Sequence, residues 1–136
     1  MSSIATNENE VILYYNSKTS LGKQTLPYIE AAERKIRTVD ISLTKITGTQ
    51  WATLAQKLNL TLSELVNCEH PDFVKNYKTP ANLSQEDWIK ILNAHPETLK
   101  CPILITGNSY NLIETPSKAL SFLKVKGKDI DAQNPN

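Results

Sequence analysis

Residues 11–15, Val-Ile-Leu-Tyr-Tyr, form an unbroken apolar run of β-favouring side chains. Such a run has no polar face to turn to water, so it reads as a strand covered on both sides, as in a parallel sheet. A sheet of that kind needs helices against its faces, and the next residues supply one. Asn16-Ser17-Lys18-Thr19-Ser20 is a cluster of loop and capping residues. After it Leu21, Thr25, Tyr28, Ile29 and Ala32 recur at helical spacing, which predicts a helix over 21–34. Pro27 falls beyond the first turn, where it should remove a hydrogen bond or bend the helix. Residues 36–41 alternate imperfectly between apolar and polar and predict a second strand. A strand, a helix and a strand within so short a span make a βαβ unit with a right-handed crossover.

The rest of the chain is helical before it returns to strands. Trp51, Leu54, Ala55 and Leu58 follow an i, i+3, i+4, i+7 pattern, predicting a helix over 49–59 capped by Thr47 or Thr49. Short helices are expected near 62–67 and 71–77. Ser84, with Asp87 three residues on, resembles a capping box. The helix it opens places Trp88, Ile91, Leu92 and His95 on one face and stops at Pro96. Residues 102–106 and 110–113 are apolar runs joined by Gly107-Asn108-Ser109, a hairpin signal. Thr115-Pro116 should start a last helix, with Ala119, Leu120, Phe122 and Leu123 inward. The predicted class is α/β: β-α-β, a helical insertion, then β-β-α, with a mixed four-stranded sheet. That order resembles the thioredoxin plan.

A chain of 136 residues suits one domain. Its expected extent is 11–124, with residues 1–10 and 125–136 as a disordered N-terminal segment and a flexible tail. The net charge of +1 argues against nucleic acid or an anionic membrane as partner. No apolar run approaches the roughly 20 residues of a membrane span. The polar N-terminus does not look like a signal peptide, so a cytoplasmic protein is expected. Cys68 and Cys101 are far apart in sequence and belong to no Cys-x-x-Cys pair. In a reducing cytosol both should be thiols.

Four stretches together resemble the glutaredoxin-linked arsenate reductases and their Spx-type relatives. They are Leu13-Tyr14-Tyr15-Asn16 with Leu26; Leu58-Asn59-Leu60 into Leu65-Val66; Leu83-Ser84 through Trp88-Ile89 to His95-Pro96; and Cys101-Pro102-Ile103-Leu104-Ile105-Thr106 followed by Pro116-Ser117. The resemblance covers about Val11 to Leu123. It implies a cysteine nucleophile at the start of the first helix, where the helix terminus favours the thiolate and backbone N–H groups bind the oxyanion. Arginines would complete the pocket. Counted without a gap from Asn16 to Leu26, the cysteine position holds Thr19 and the second position of a Cys-x-x-Cys pair holds Gly22. The three arginine positions align with Asn67, Cys101 and, loosely, Thr115. The chain's only arginines are Arg34 and Arg37.

A threonine hydroxyl is not a redox centre, and as a nucleophile it needs an adjacent base. Nothing in 16–24 offers one beyond Lys18 and Lys23, which should be protonated. The simpler reading of Thr19 and Ser20 is as helix caps. A capped helix start can still present N–H groups to an anion, which makes Asn16, Lys18, Thr19, Ser20 and Lys23 the candidate anion-binding set. The loop lacks a nucleotide P-loop pattern. If Pro102 is the cis-proline typical of thioredoxin-like folds, Cys101 lies beside Thr19. It is then a candidate relocated thiol, with Cys68 as its candidate partner, against the plainer reading of Cys101 as a small apolar residue filling an arginine's space. Cys68, His70 and Cys101 lack the spacing and the fourth ligand of a metal site, so no metal or resident cofactor is expected. Trp51 and Trp88 read as core. Three functions remain: a catalytically degenerate binding or regulatory module with a small-anion or glutathione pocket; a thiol oxidoreductase or arsenate-reductase-like enzyme using Cys101; and an Spx-like regulator touching transcription machinery. The resemblance implies glutathione, glutaredoxin or a protein partner.

Overall fold

The computed structural model describes residues 10–32, 35–77 and 82–126. The chain runs β1 (Val11–Tyr15), α1 (Ser20–Glu30), β2 (Ile36–Asp40), α2 (Gly48–Leu58), α3 (Leu62–Leu65), α4 (Pro71–Tyr77), α5 (Gln85–Ala94), a 3-10 turn (Pro96–Thr98), β3 (Ile103–Thr106), β4 (Ser109–Leu112) and α6 (Lys118–Lys126). The sheet order is β2-β1-β3-β4. β1 pairs parallel with β2, Leu13 opposite Thr38, and antiparallel with β3, Leu13 opposite Leu104. β3 and β4 form an antiparallel hairpin, turned at Gly107 with its φ of 63°. That left-handed conformation costs glycine little.

All five residues of β1 are buried, as the apolar run requires. Successive side chains leave a strand on opposite faces, so the run feeds two cores. Ile12 and Tyr14, with Ile103 and Ile105, pack against the helical insertion through Trp51, Leu54, Phe73, Trp88 and Leu92. Val11, Leu13 and Tyr15, with Leu104, pack against α1 and α6 through Ile29, Ala119 and Leu123. The result is a mixed sheet between two helical layers, the α/β order expected from the sequence. Both tryptophans lie in the core as expected, and the Phe73 and Trp88 rings stack 5.8 Å apart.

Local caps set most helix starts where the sequence placed them. The Thr47 hydroxyl accepts from Gln50 N–H at 3.1 Å. Ser84 and Asp87 form the reciprocal capping box, at 2.8 and 3.2 Å. Asn93 then ties α5 to the start of α2. Its Oδ1 accepts from Ile46 N–H and from the Trp51 indole N–H, and its amide donates to the Ile46 carbonyl.

Three expectations change. α1 stops at Glu30 rather than 34, because Ala32 N–H turns back to the Ile29 carbonyl and the chain leaves the helix to enter β2. Pro27 stays inside α1 without ending it. Tyr28, expected on the buried face, is exposed, while Thr25 and Ile29 are fully buried. α6 begins at Lys118 rather than at Pro116, since the bonds from Lys118 to Thr115 and from Ala119 to Pro116 span only three residues and form a tighter lead-in turn. The expected N-terminal segment lies outside the described residues up to position 9. The expected tail does so from position 127, and α6 includes residues 125 and 126.

Candidate functional site

The loop between β1 and α1 is held by short-range bonds. Thr19, the N-cap of α1, accepts from Gly22 N–H at 3.1 Å through its hydroxyl and donates that hydroxyl's proton to the Asn16 carbonyl at 3.0 Å. The same carbonyl accepts Thr19 N–H at 3.2 Å. Buried Asn16 accepts Lys18 N–H on its own side chain at 2.8 Å. Gly22 is indispensable to this arrangement. A Cβ at Gly22 would overlap the Asn16 carbonyl oxygen and lie 2.8 Å from its carbon and 2.9 Å from Thr19 Oγ1.

Asp40, at the end of β2, braces the loop from the neighbouring strand. One carboxylate oxygen accepts from Ser17 N–H at 3.2 Å, Ser42 N–H at 3.0 Å and the Ser42 hydroxyl at 2.7 Å. Burial alone would raise the Asp40 pKa, but hydrogen bonds from Ser17 and Ser42 outweigh it and hold the carboxyl below its usual range. A folded pKa below the unfolded one contributes stability that is present above the ordinary aspartate pKa near 4 and is lost as pH falls through the folded value. Asp40→Asn should therefore flatten the acid limb of the stability curve below about pH 4. Urea melts across that range test this, and an unchanged acid limb would show that the brace contributes nothing.

Opposite the loop lies the segment 96–102. Asn67 N–H donates to the Thr98 carbonyl and Lys100 N–H to the Leu65 carbonyl, both at 2.7 Å, around an isolated bridge from Val66 to Leu99. Fully buried Thr98 donates its hydroxyl to the His95 carbonyl at 2.7 Å. Between these walls is a cleft of about 190 Å³. Asn16, Thr19 and Leu21 line it from the β1–α1 loop and helix start, Glu97, Leu99, Lys100, Cys101 and Pro102 from the segment 96–102, and Asn67 and His70 from the chain before α4.

The fold thus brings Thr19 and Cys101 to one cleft. It does not bring the whole expected anion set there. Lys18, Ser20 and Lys23 are exposed and lie outside the lining, because a helix start fans consecutive side chains around its axis. Cys68 is also outside, half-buried, and both cysteines are free thiols. Burial pushes the Cys101 thiol up, the Glu114 carboxylate adds to the shift, and the Lys100 ammonium offsets part of it. Burial also raises the Cys68 thiol, against a smaller opposing effect of Lys100. Both are therefore protonated at neutral pH and poor nucleophiles.

Among the described residues no group of three or more His, Cys, Asp or Glu side chains is placed to hold a metal ion. His70 instead caps α4, its Nδ1 accepting from Asp72 N–H at 3.0 Å. In the neutral ring this leaves the proton on Nε2. His95 closes α5 through its backbone N–H to Ile91. Its ring meets Glu97 at 3.3 Å rather than the helix-end carbonyls.

The cis-proline expectation needs correcting. No described peptide bond is cis, so the Cys101–Pro102 bond is trans. Trans is the lower-energy isomer of an X–Pro bond by about 0.5–1 kcal/mol. Pro102 runs straight into β3, its carbonyl accepting from Ile113 N–H at 2.9 Å. Cys101 reaches the cleft without the cis bond.

Glu97 and Lys100 were missed in the sequence. Each reads as one more solvated charge there, and only the nonlocal bridge at Val66 turns them to the cleft. The proline after Cys101 was the one available signal, since it marked the segment as a site wall.

No family model and no curated protein matches the chain. Solved structures do. An arsenate reductase from Vibrio cholerae superposes with a TM-score of 0.71 at 20% identity, over 85% of this chain and 98% of that one. A Yersinia pestis protein provisionally assigned as an arsenate reductase gives 0.72 at 19%, over 82% and 98%. An arsenate reductase related protein from Brucella melitensis gives 0.61 at 14%, over 91% and 98%. The chain has the arsenate reductase fold.

Within that thioredoxin-like fold, the positions to which the resemblance assigns the family's chemistry can be placed. Thr19 stands at the helix start, with its hydroxyl committed to the cap in both directions. Gly22 has no room for a second cysteine. Asn67 and Cys101, which the resemblance aligns with two arginine positions, both line the cleft, and exposed Thr115 lies outside the lining. Lys100 is the one lysine or arginine among the described lining residues.

Proposed function

We propose that this protein is a catalytically degenerate relative of the arsenate reductases that binds small anionic ligands, such as an oxyanion or the carboxylates of glutathione, and serves as a binding or regulatory module in the cytoplasm. The observation that carries this reading is the state of Thr19. It takes the place of the nucleophile, and its hydroxyl already donates to Asn16 and accepts from Gly22. Two further features support it. The cleft thiol is held protonated by burial and Glu114, so it lacks the thiolate that attack on arsenate requires. The cleft keeps a helix start and one ammonium, enough to attract an anion but not to clamp a dianion bidentately. A volume near 190 Å³ is below the usual 300–1,000 Å³ range of pockets for drug-sized ligands. It suits a small ion or one end of a larger molecule.

The test is an arsenate-reduction assay with glutathione and glutaredoxin, run beside an active arsenate reductase. No turnover above the protein-free background is expected. Robust turnover would overturn the reading.

A further inference from the structure

We propose that the cleft takes a zwitterion of the amino-acid or dipeptide class, its ammonium on Glu97 and its carboxylate on Lys100 and the start of α1. This rests on the reading of the cleft as a ligand pocket and names the class of ligand. Glu97 and Lys100 both line the cleft and both stand on the same stiff segment, pinned to the chain before α4 by the bonds of Asn67 and Lys100 and braced internally by Thr98. Among the described residues neither pairs with the other, and Lys100 has no carboxylate within ion-pairing distance. Glu97 is instead oriented by the His95 ring on Oε2, which leaves Oε1 able to accept from a ligand. A carboxylate and an ammonium that share a cleft without neutralising each other are matched by a ligand carrying the opposite pair.

The competing ligand classes each meet a repulsion. An inorganic dianion is drawn by Lys100 and the helix start but opposed by Glu97, with no arginine to offset it. A simple amine is drawn by Glu97 and opposed by Lys100. Only a zwitterion has both ends favoured. The helix start adds uncharged donors at the carboxylate end, since the Ser20 and Leu21 N–H groups have no partner within the helix, Gly22 N–H being taken by the Thr19 hydroxyl.

The full chain is titrated with L-alanyl-L-alanine, its N-acetyl derivative and sulfate, following backbone amide shifts by NMR. The dipeptide should shift the amides of Thr19, Asn67 and Lys100. Removing its ammonium by acetylation should weaken binding about tenfold or more, as expected for loss of a charge-assisted hydrogen bond. Glu97→Gln should weaken the dipeptide to a similar extent and strengthen sulfate, whereas Lys100→Gln should weaken both. Sulfate binding without dipeptide binding, or equal binding of the acetylated form, overturns the zwitterion and leaves the anion pocket standing. Shifts from neither probe overturn both.

Discussion

Gly22→Ala is expected to lower the melting temperature by roughly 10 °C. Two opposing effects meet at this position. In an ordinary helix the change from glycine to alanine stabilises by about 0.5–1 kcal/mol, because glycine loses more backbone freedom on folding. Here the added Cβ would overlap the Asn16 carbonyl oxygen and crowd Thr19 Oγ1. Overpacking costs about 1–3 kcal/mol in general. The upper end applies because the obstacle is backbone and cannot rotate away. Asn16 cannot readily retreat either, since its carbonyl holds both Thr19 N–H and the Thr19 hydroxyl. The clash therefore outweighs the propensity gain. Thermal melts followed by circular dichroism measure the difference, and an unchanged or raised melting temperature would show that the loop yields. Cysteine carries the same Cβ. A redox pair spanning positions 19 and 22 is thus incompatible with this loop, whatever stands at 19.

The second large effect concerns thiol reactivity. In a Thr19→Cys variant the new thiol should be alkylated at neutral pH several-fold faster than Cys101, because the helix start lowers its pKa while burial raises that of Cys101. Each unit of separation raises the thiolate fraction nearly tenfold and lowers nucleophilicity about threefold, a net gain of about threefold. Exposure acts in the same direction, because Thr19 is half-buried and Cys101 is 8% exposed. The measurement is the rate of iodoacetamide labelling against pH, site by site, by mass spectrometry. Rapid labelling of Cys101 in the parent protein at pH 7 would revive it as a relocated nucleophile. Equal slow rates at both positions would show that this helix start does not support a thiolate. The variant also loses the Thr19 cap, which costs about 1 kcal/mol.

Much of the fold was legible because its signals are local. The run at 11–15 could only be a doubly covered strand, and Thr47, Ser84 and Asp87 act within three residues of themselves. The ends of α1 and α6 were less legible, since they depend on where the chain must join the sheet. The site was legible in part. Thr19 as a cap followed from its residue type and its place before the helix, whereas Cys101 as its neighbour was expected only through a cis-proline that the structure does not have. The surrounding charges did not.

Sequence alone therefore determined the strand and helix order, the sheet class, the cap at Thr19 and the absence of a cysteine at the helix start. These are properties of residue type and short-range spacing. Tertiary structure alone decided that Lys18, Ser20 and Lys23 stay outside the cleft while Glu97 and the exposed Lys100 line it. The reason is that a helix start distributes adjacent side chains around its axis, whereas the pairing of Val66 with Leu99 carries residues about thirty positions away onto the opposite wall. No local pattern encodes that contact, and it sets the electrostatic character of the cleft.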